Sequence, residues 1–193
     1  MKKWILVVPL LIVITFIIFI SGYRFSALSA AKSNAFLSED AELMEQYNIG
    51  SSVIFLFNSD LDQVYQTVLS EKSGLFFRSS LSTYIPYSSD KIQTVGGISF
   101  TTDHNEGALL SVISFDEDVA YIEAGIEPNI ERKEIKKGER ISFLYSSSQP
   151  LYSLYPVALN KEGKILYYYG YPKDSNIISS EDLKWYRFDG QQS

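Results

Sequence analysis

Residues 92–115 read IQTVGGISFTTDHNEGALLSVISF, and this stretch decides the fold class. Its two apolar segments, IQTVGGISF and ALLSVISF, are rich in residue types that favour β-strands. The polar segment between them, TDHNEG, consists of residue types that favour a turn. The Gly96-Gly97 pair inside the first segment is typical of a β-bulge or a bend. The stretch therefore predicts two strands separated by a turn.

The same alternation of apolar segments and polar breaks continues from Gly50 to about residue 171. The breaks recur at roughly 8 to 13 residues, a spacing typical of antiparallel sandwiches and barrels rather than of βαβ units. Several segments are apolar on both faces, as in 151–159, which indicates two packed sheets. We predict an all-β, antiparallel, sandwich-like domain over residues 50–189, followed by a tail at 190–193. The segment 62–69 is ambiguous because it also matches a helix face.

The N-terminal region carries a long apolar run. Lys2 and Lys3 precede residues 4–20, which contain no charge. At about 1.5 Å per residue this run is about 25 Å long, and with its extension to Tyr23 it approaches the ~30 Å of a hydrocarbon core. We predict a transmembrane anchor over residues 1–25 that contacts the membrane through residues 4–23.

The flanking charges predict the orientation of this anchor. Lysines before the run favour a cytoplasmic N-terminus and place the rest of the chain outside the cell membrane, in a single pass. The alternatives are a cleaved signal peptide with a cleavage site near Ala31 and an apolar helix of a soluble protein. That small-residue site lies beyond Arg24 and far from the apolar run, which favours the uncleaved anchor.

Residues 26–49 are predicted to be a juxtamembrane linker with a short helix. Within 33–48, Phe36, Leu43, Met44 and Tyr47 fall near one helical face, and acidic residues occupy the other. Gly50 is a natural end for that helix.

Composition excludes several classes of site. The chain has no Cys and a single His, so disulfides, thiol nucleophiles, Cys-ligated zinc and sites with two imidazoles are excluded. All 23 acidic residues follow Ser33, whereas four of the 17 basic residues precede it. Such an acidic domain repels phosphate backbones. We therefore predict no nucleic-acid partner, no cofactor and no metal.

Two charged segments are candidate sites. Residues 131–140 read ERKEIKKGER and predict a hairpin turning at Gly138, with Glu131 and Glu134 across from Arg140. Protection of a sheet edge is the preferred interpretation, and a recognition hairpin is the alternative.

The acidic set of Asp116, Glu117, Asp118, Glu123 and Glu127 lacks the loop spacing of a calcium site, so the FDED segment is predicted to be a hairpin turn. His104 is predicted to lie in an exposed turn.

Aromatic residues crowd the C-terminal third of the chain. On a strand, Tyr167, Tyr169 and Tyr171 would project to one face and Tyr168 to the other, so part of the set must be core. Rings that stay exposed together would form a surface for sugar rings or for a protein partner. The candidate binding residues are Tyr168, Tyr171 and Trp185.

The predicted function is a membrane-anchored, extracytoplasmic, non-catalytic binding or accessory domain of the cell envelope, in contact with a cell-wall polymer or an envelope protein. No catalytic residue is predicted. The alternatives are an extracytoplasmic glycan hydrolase that uses a carboxylate pair, and an accessory subunit of a membrane protein complex. Convergent buried carboxylates in a cleft would favour the hydrolase, and a flat aromatic patch would favour binding. The layout is similar to that of small membrane-anchored envelope proteins of Gram-positive bacteria, a similarity of setting and not of activity.

Overall fold

The computed structural model describes residues 8, 9, 13, 19–173 and 179–188, apart from the side chains of Ser80 and Ser180. The chain divides into two compact units, one of Met1–Asp62 with Gln66–Thr83 and one of Gln63–Tyr65 with Tyr84–Ser193. The predicted anchor lies largely outside the described residues, as does the predicted tail. Among the residues that are described, no helix combines the length and the apolar character needed to cross a membrane.

The first unit is a four-stranded antiparallel sheet with a short helix packed on it. Its elements are α1 (Ala27–Lys32), β1 (Glu42–Ile49), β2 (Ser52–Ser59), β3 (Val64–Ser73) and β4 (Phe76–Pro86), with the strands in the order β1-β2-β3-β4. Ser26 caps α1 by accepting a hydrogen bond from the backbone N–H of Ser29 at 3.2 Å. Ala31 of the helix packs against Phe55, Phe57 and Val68 of the sheet, and these residues form one hydrophobic cluster of the unit.

The predicted helix over 33–48 is wrong. Residues 42–49 are strand β1, and the helix of this region ends earlier, at Lys32. The spacing of Leu43 and Tyr47 matched a helix face, but the backbone of this segment pairs with the strongly apolar strand β2. Tertiary pairing of this kind overrides weak local propensity. As an edge strand, β1 keeps most of its side chains exposed, which is why its pattern does not alternate cleanly.

The second unit consists of two antiparallel sheets. The smaller sheet has the order β5-β6-β9, and the larger has the order β12-β11-β10-β7-β8. Their strands are β5 (Ile92–Thr101), β6 (Glu106–Ser114), β7 (Tyr121–Ala124), β8 (Glu131–Glu134), β9 (Arg140–Tyr145), β10 (Val157–Leu159), β11 (Ile165–Gly170) and β12 (Lys184–Arg187).

Both sheets contribute to one hydrophobic core. Leu110 and Phe143 come from the smaller sheet, and Ile122, Ala158 and Trp185 come from the larger. On β7, buried and half-buried residues alternate, because successive side chains point to opposite faces of a strand. The predicted all-β, sandwich-like fold is thus confirmed for the described residues.

The predicted irregularity at Gly96-Gly97 is also present. The register of β5 with β6 shifts between Thr94 and Gly96, as expected of a β-bulge. A Cβ atom at Gly97 would collide with the side chain of Leu151. Glycine at this position therefore allows the 3₁₀ turn over Leu151–Leu154 to pack directly on β5.

Three other local predictions are wrong. Residues 151–159 are not one strand but a 3₁₀ turn followed by β10, and strand β12 was not predicted. The turn at Gly138 exists, with φ of 77°, but it does not close a hairpin. Strand β8 pairs with β7, whereas β9 pairs with β6 of the other sheet. The FDED segment likewise joins β6 to β7 across the two sheets instead of closing a hairpin.

Candidate functional site

Strand alternation divides the C-terminal aromatic residues between core and surface. Tyr167 and Tyr169 are only 9% and 7% exposed. Tyr168 lies between them on β11 and is half-buried on the opposite face of the sheet. The alternation predicted for these three residues is confirmed, and it leaves Tyr168 as the ring that β11 presents on its outer face.

A second tyrosine lies directly beside Tyr168. Tyr186 of β12 is its register partner, and the two rings stack with centroids 5.5 Å apart and planes 23° apart. The ammonium group of Lys173 lies 4.8 Å from the Tyr168 ring, and that of Lys184 lies 5.6 Å from the Tyr186 ring. Both distances are within the range of cation–π attraction. We call Tyr168, Tyr186, Lys173 and Lys184 the tyrosine platform.

Further contacts hold the platform in place. The hydroxyl of Tyr186 donates a hydrogen bond to the backbone oxygen of Asp182 at 2.7 Å. The ammonium of Lys173 also lies 5.6 Å from the Phe188 ring. A surface that is already ordered loses little conformational entropy when a ligand binds.

Trp185, the third predicted binding residue, lies in the core. Its exposed fraction is 7%, and its indole N–H donates a hydrogen bond to Thr94 Oγ1 at 3.1 Å. Its ring packs against Tyr169 at a centroid distance of 5.5 Å. Trp185 therefore joins β12 to β5 inside the sandwich and presents no ring to a ligand.

Tyr171 belongs to a different ring pair from Tyr168. Its ring lies 5.6 Å from that of Tyr152, with the planes inclined at 60°. Tyr152 is 43% exposed, and the nearby Tyr155 is 72% exposed. The planes of this pair are steeply inclined, whereas those of Tyr168 and Tyr186 are nearly parallel.

Sequence reasoning missed three members of the platform, namely Tyr186, Lys173 and Lys184. The available signal was the alternation in KWYR at 184–187, which places Trp185 and Tyr186 on opposite faces of a strand. That segment was not recognised as a strand because polar residues surround it.

The carboxylate that is most deeply buried among the described residues is that of Asp116. It accepts hydrogen bonds from the hydroxyl of Tyr167 at 2.6 Å and from the backbone N–H of Asp118 at 3.1 Å. The ammonium of Lys91 lies 3.2 Å away. Burial raises the pKa of Asp116, but these hydrogen bonds and the lysine outweigh burial and hold its pKa below the ordinary value. Asp116 is thus an ionised structural group that anchors the turn between β6 and β7.

The other members of the acidic set are dispersed. Glu123 pairs with Arg132 at 2.7 Å, and Glu117 pairs with Lys137. Glu127 is exposed beside the cis peptide bond to Pro128. Within the described part of the chain, no group of three or more His, Asp or Glu side chains is arranged to hold a metal ion. His104 lies in the exposed turn between β5 and β6, as predicted.

A surface groove of about 530 Å³ is lined by two acidic residues, Glu127 and Glu131. It is lined by the loop that contains Glu127, by Glu131 and by the segment that follows β9. The carboxylate of Glu131 lies 3.3 Å from the ammonium of Lys133. Tyr145 lines the same groove and donates a hydrogen bond to the backbone oxygen of Ala124 at 2.7 Å. Burial, and then the charge of Glu131, raise the pKa of Tyr145 well above its ordinary value. Neither acid of the groove is buried.

The charged segment 131–140 has a structural role that its composition does not reveal. The ammonium of Lys133 donates a hydrogen bond to the backbone oxygen of Ser142 at 2.7 Å and lies 4.8 Å from the Phe143 ring. These contacts join β8, the edge strand of the larger sheet, to β9 of the smaller one. Lys136 and Lys137 are exposed in the turn that follows.

Comparisons with protein-family models, with curated proteins and with solved structures give no match to this chain.

Proposed function

We propose that this protein is a membrane-anchored, extracytoplasmic, non-catalytic binding domain of the cell envelope, and that the tyrosine platform is its ligand-binding surface. The observation that carries the proposal is the stacked, lysine-flanked pair of Tyr168 and Tyr186. Ordered aromatic rings provide contact area at a low cost in entropy.

The chemistry of the platform favours a cell-wall polymer as the ligand. Sugar C–H groups can pack against tyrosine rings, and lysines can donate hydrogen bonds to sugar hydroxyls or to phosphate groups of an anionic polymer. Lys173 and Lys184 provide a local positive charge on an otherwise acidic domain. An envelope protein remains the alternative partner, because tyrosine is also frequent in the centres of protein interfaces.

The arrangement of the carboxylates supports a binding role over a glycan hydrolase. General acid catalysis requires a carboxyl group whose pKa is raised toward neutrality, close to a second carboxylate. The pKa of Asp116 is lowered instead, and its oxygens are engaged by Tyr167, Lys91 and a backbone N–H. In the groove, Glu131 is paired with Lys133 and Glu127 is exposed.

The binding proposal can be tested by a pull-down of the purified full-length protein with insoluble cell-wall material. Replacing Tyr168 or Tyr186 with Ala should weaken binding by roughly 30-fold, since truncation of a central aromatic residue commonly costs ~2 kcal/mol or more. Tyr84→Ala is the matched control, because Tyr84 is 72% exposed and lies outside the platform.

Unfolding curves should show that each variant remains folded. Undiminished binding by both folded platform variants would contradict the proposal, as would loss of binding in Tyr84→Ala. Release of reducing ends from the wall material would favour the hydrolase instead. Capture of an envelope protein that depends on Tyr168 would retain the surface but change the class of its ligand.

A further inference from the structure

The end of the predicted anchor is attached to the tip of the hairpin formed by β3 and β4. The backbone of Arg24 forms two hydrogen bonds with the backbone of Phe77, at 2.8 and 2.7 Å. Phe77 lies on β4, an edge strand of the first unit, two residues from the exposed turn residue Leu75. The chain bends at Gly22, whose φ is 81°, just before this contact.

Aromatic rings and arginines interleave around this contact. The Phe25 ring lies 5.2 Å from Phe76 and 6.0 Å from Phe19, and the Tyr23 ring lies 6.3 Å from Phe76. The guanidinium of Arg24 lies 5.2 Å from the Phe19 ring, and that of Arg78 lies 5.6 Å from the Tyr23 ring. We call Phe19, Tyr23, Arg24, Phe25, Leu75, Phe76 and Arg78 the juxtamembrane cluster.

Much of the apolar surface of this cluster is uncovered. Leu75 is 85% exposed and Phe25 is 68% exposed. Lys72 and Arg78 are also exposed on the two strands of the hairpin. Exposed aromatic and aliphatic side chains surrounded by cations are typical of a surface that contacts the headgroup region of a membrane, where rings and basic groups are both favourable.

The distance along the chain restricts what this surface can face. The apolar run ends at Ile20, and Arg24 lies four residues later. At about 3.5 Å per residue, Arg24 is at most about 14 Å from the end of the run. The headgroup region of a bilayer is of a similar order of thickness, several Å on each side of the hydrocarbon core. If residues 4–20 span the membrane, Arg24 and the hairpin paired with it are therefore held close to the headgroup region.

We infer that the juxtamembrane cluster docks on the outer surface of the same membrane that holds the anchor. Leu75 and Phe25 insert among the lipid headgroups, and Arg78 of the cluster, with the neighbouring Lys72, lies against anionic lipids. The inference rests on the anchor in the proposed function and adds a second attachment to it. The first unit would then stand on the bilayer through its hairpin tip rather than swing from the anchor.

The absence of Cys from the chain makes a direct test possible. A single Leu75→Cys variant of the full-length protein is labelled with an environment-sensitive fluorophore and reconstituted in vesicles of phosphatidylcholine and phosphatidylglycerol. Spin-labelled lipid with its nitroxide near the headgroups serves as the quencher. We expect blue-shifted emission and loss of fluorescence, and weaker quenching in vesicles of phosphatidylcholine alone because the basic side chains then lack anionic headgroups.

Leu61→Cys is the matched control. Leu61 is also a leucine in a strand-to-strand turn, is 74% exposed, and lies at the opposite end of β3. A ten-residue strand is about 33 Å long, which keeps this label beyond the reach of the quencher. Equal quenching at the two positions, or none at position 75, would overturn the inference.

Resistance of the same samples to an alkaline carbonate wash reports on the anchor separately. Retention of the chain in the membrane with an unquenched label at position 75 would refute the docking of the cluster and leave the anchor standing. Removal of the chain by the wash would refute the anchor, and the docking inference would fall with it.

Discussion

At the scale of single residues, the contact between Asp116 and Tyr167 joins a turn to a sheet. Their oxygens are 2.6 Å apart, and both residues are buried. A hydrogen bond to a buried charge is stronger than one between neutral groups, and the loss of its donor leaves the acceptor poorly satisfied.

We expect Tyr167→Phe to lower the free energy of unfolding by about 1.5 to 3 kcal/mol, because the ionised Asp116 loses a donor while its burial persists. Denaturant titration would measure the change, with Tyr84→Phe as the exposed control that should have little effect. A Tyr167→Phe protein as stable as the parent would show that Lys91 and the backbone N–H of Asp118 suffice to hold the carboxylate.

Buried tyrosines also predict how stability depends on alkaline pH. Burial, and then the hydrogen bond to Asp116, raise the pKa of Tyr167 to about 12, and burial raises that of Tyr169 to about 12. The ordinary value in an unfolded chain is about 10. Since the folded-state pKa is the higher one, the stabilisation is fully present below about pH 10 and is lost as the pH rises toward 12. Unfolding curves over an alkaline pH series should show this decline, with a shallower slope in Tyr167→Phe. A free energy of unfolding that stays constant through this range would contradict it.

At the scale of elements, the charged segment 131–140 separates into a structural part and a solvated part. Lys133 contacts two residues of β9, whereas Lys136, Lys137 and the turn around them are exposed. An exposed ion pair contributes only ~0.2 to 1 kcal/mol.

The triple replacement of Lys136, Lys137 and Arg140 with Gln should therefore change the free energy of unfolding by no more than about 1 kcal/mol. Binding to cell-wall material should also survive it, since the tyrosine platform is untouched. The single variant Lys133→Gln should destabilise the protein more than the triple variant does, because it removes the contacts with Ser142 and Phe143 together. If the triple variant were the less stable of the two, the assignment of roles within this segment would be wrong.

Local pattern predicted most strands, because alternation and turn residues are encoded within a few positions. The prediction from local pattern failed where pairing with another strand determines the structure. Residues 42–49 form a strand because β2 pairs with them, and β8 turns away from β9 because each finds a partner in a different sheet. The same distinction between local pattern and distant partner applies to the residues of the candidate site. Tyr168 could be assigned to the outer face from β11 alone, whereas the burial of Trp185 depends on Thr94, 91 positions earlier in the chain.

At the scale of the whole molecule, the proposed function has two separate parts, a membrane anchor and a binding surface. The anchor is predicted from residues 4–23, and the binding surface is argued from the second unit. Each part can therefore fail without the other, and the anchor requires its own experiment.

We expect cell fractionation to recover the full-length chain with the membranes, and protease added from outside to digest the domain beyond residue 25, because an uncharged run of this length is stable in a bilayer. Mass spectrometry of the recovered N-terminus provides the measurement. A soluble form that begins near Lys32 would establish a cleaved signal peptide instead.

The hydrogen bond between Trp185 and Thr94 has a consequence for the folding of the chain. Strand β5 can pair with β6 soon after synthesis, but the core that Trp185 fills cannot close until a segment 91 residues further on has emerged. Contacts of such large sequence separation slow folding, since the entropy of a long loop must be lost before the contact is gained. Until then the part of the core that Trp185 covers stays open to water, and an incompletely folded chain of this kind is vulnerable to proteases and to aggregation.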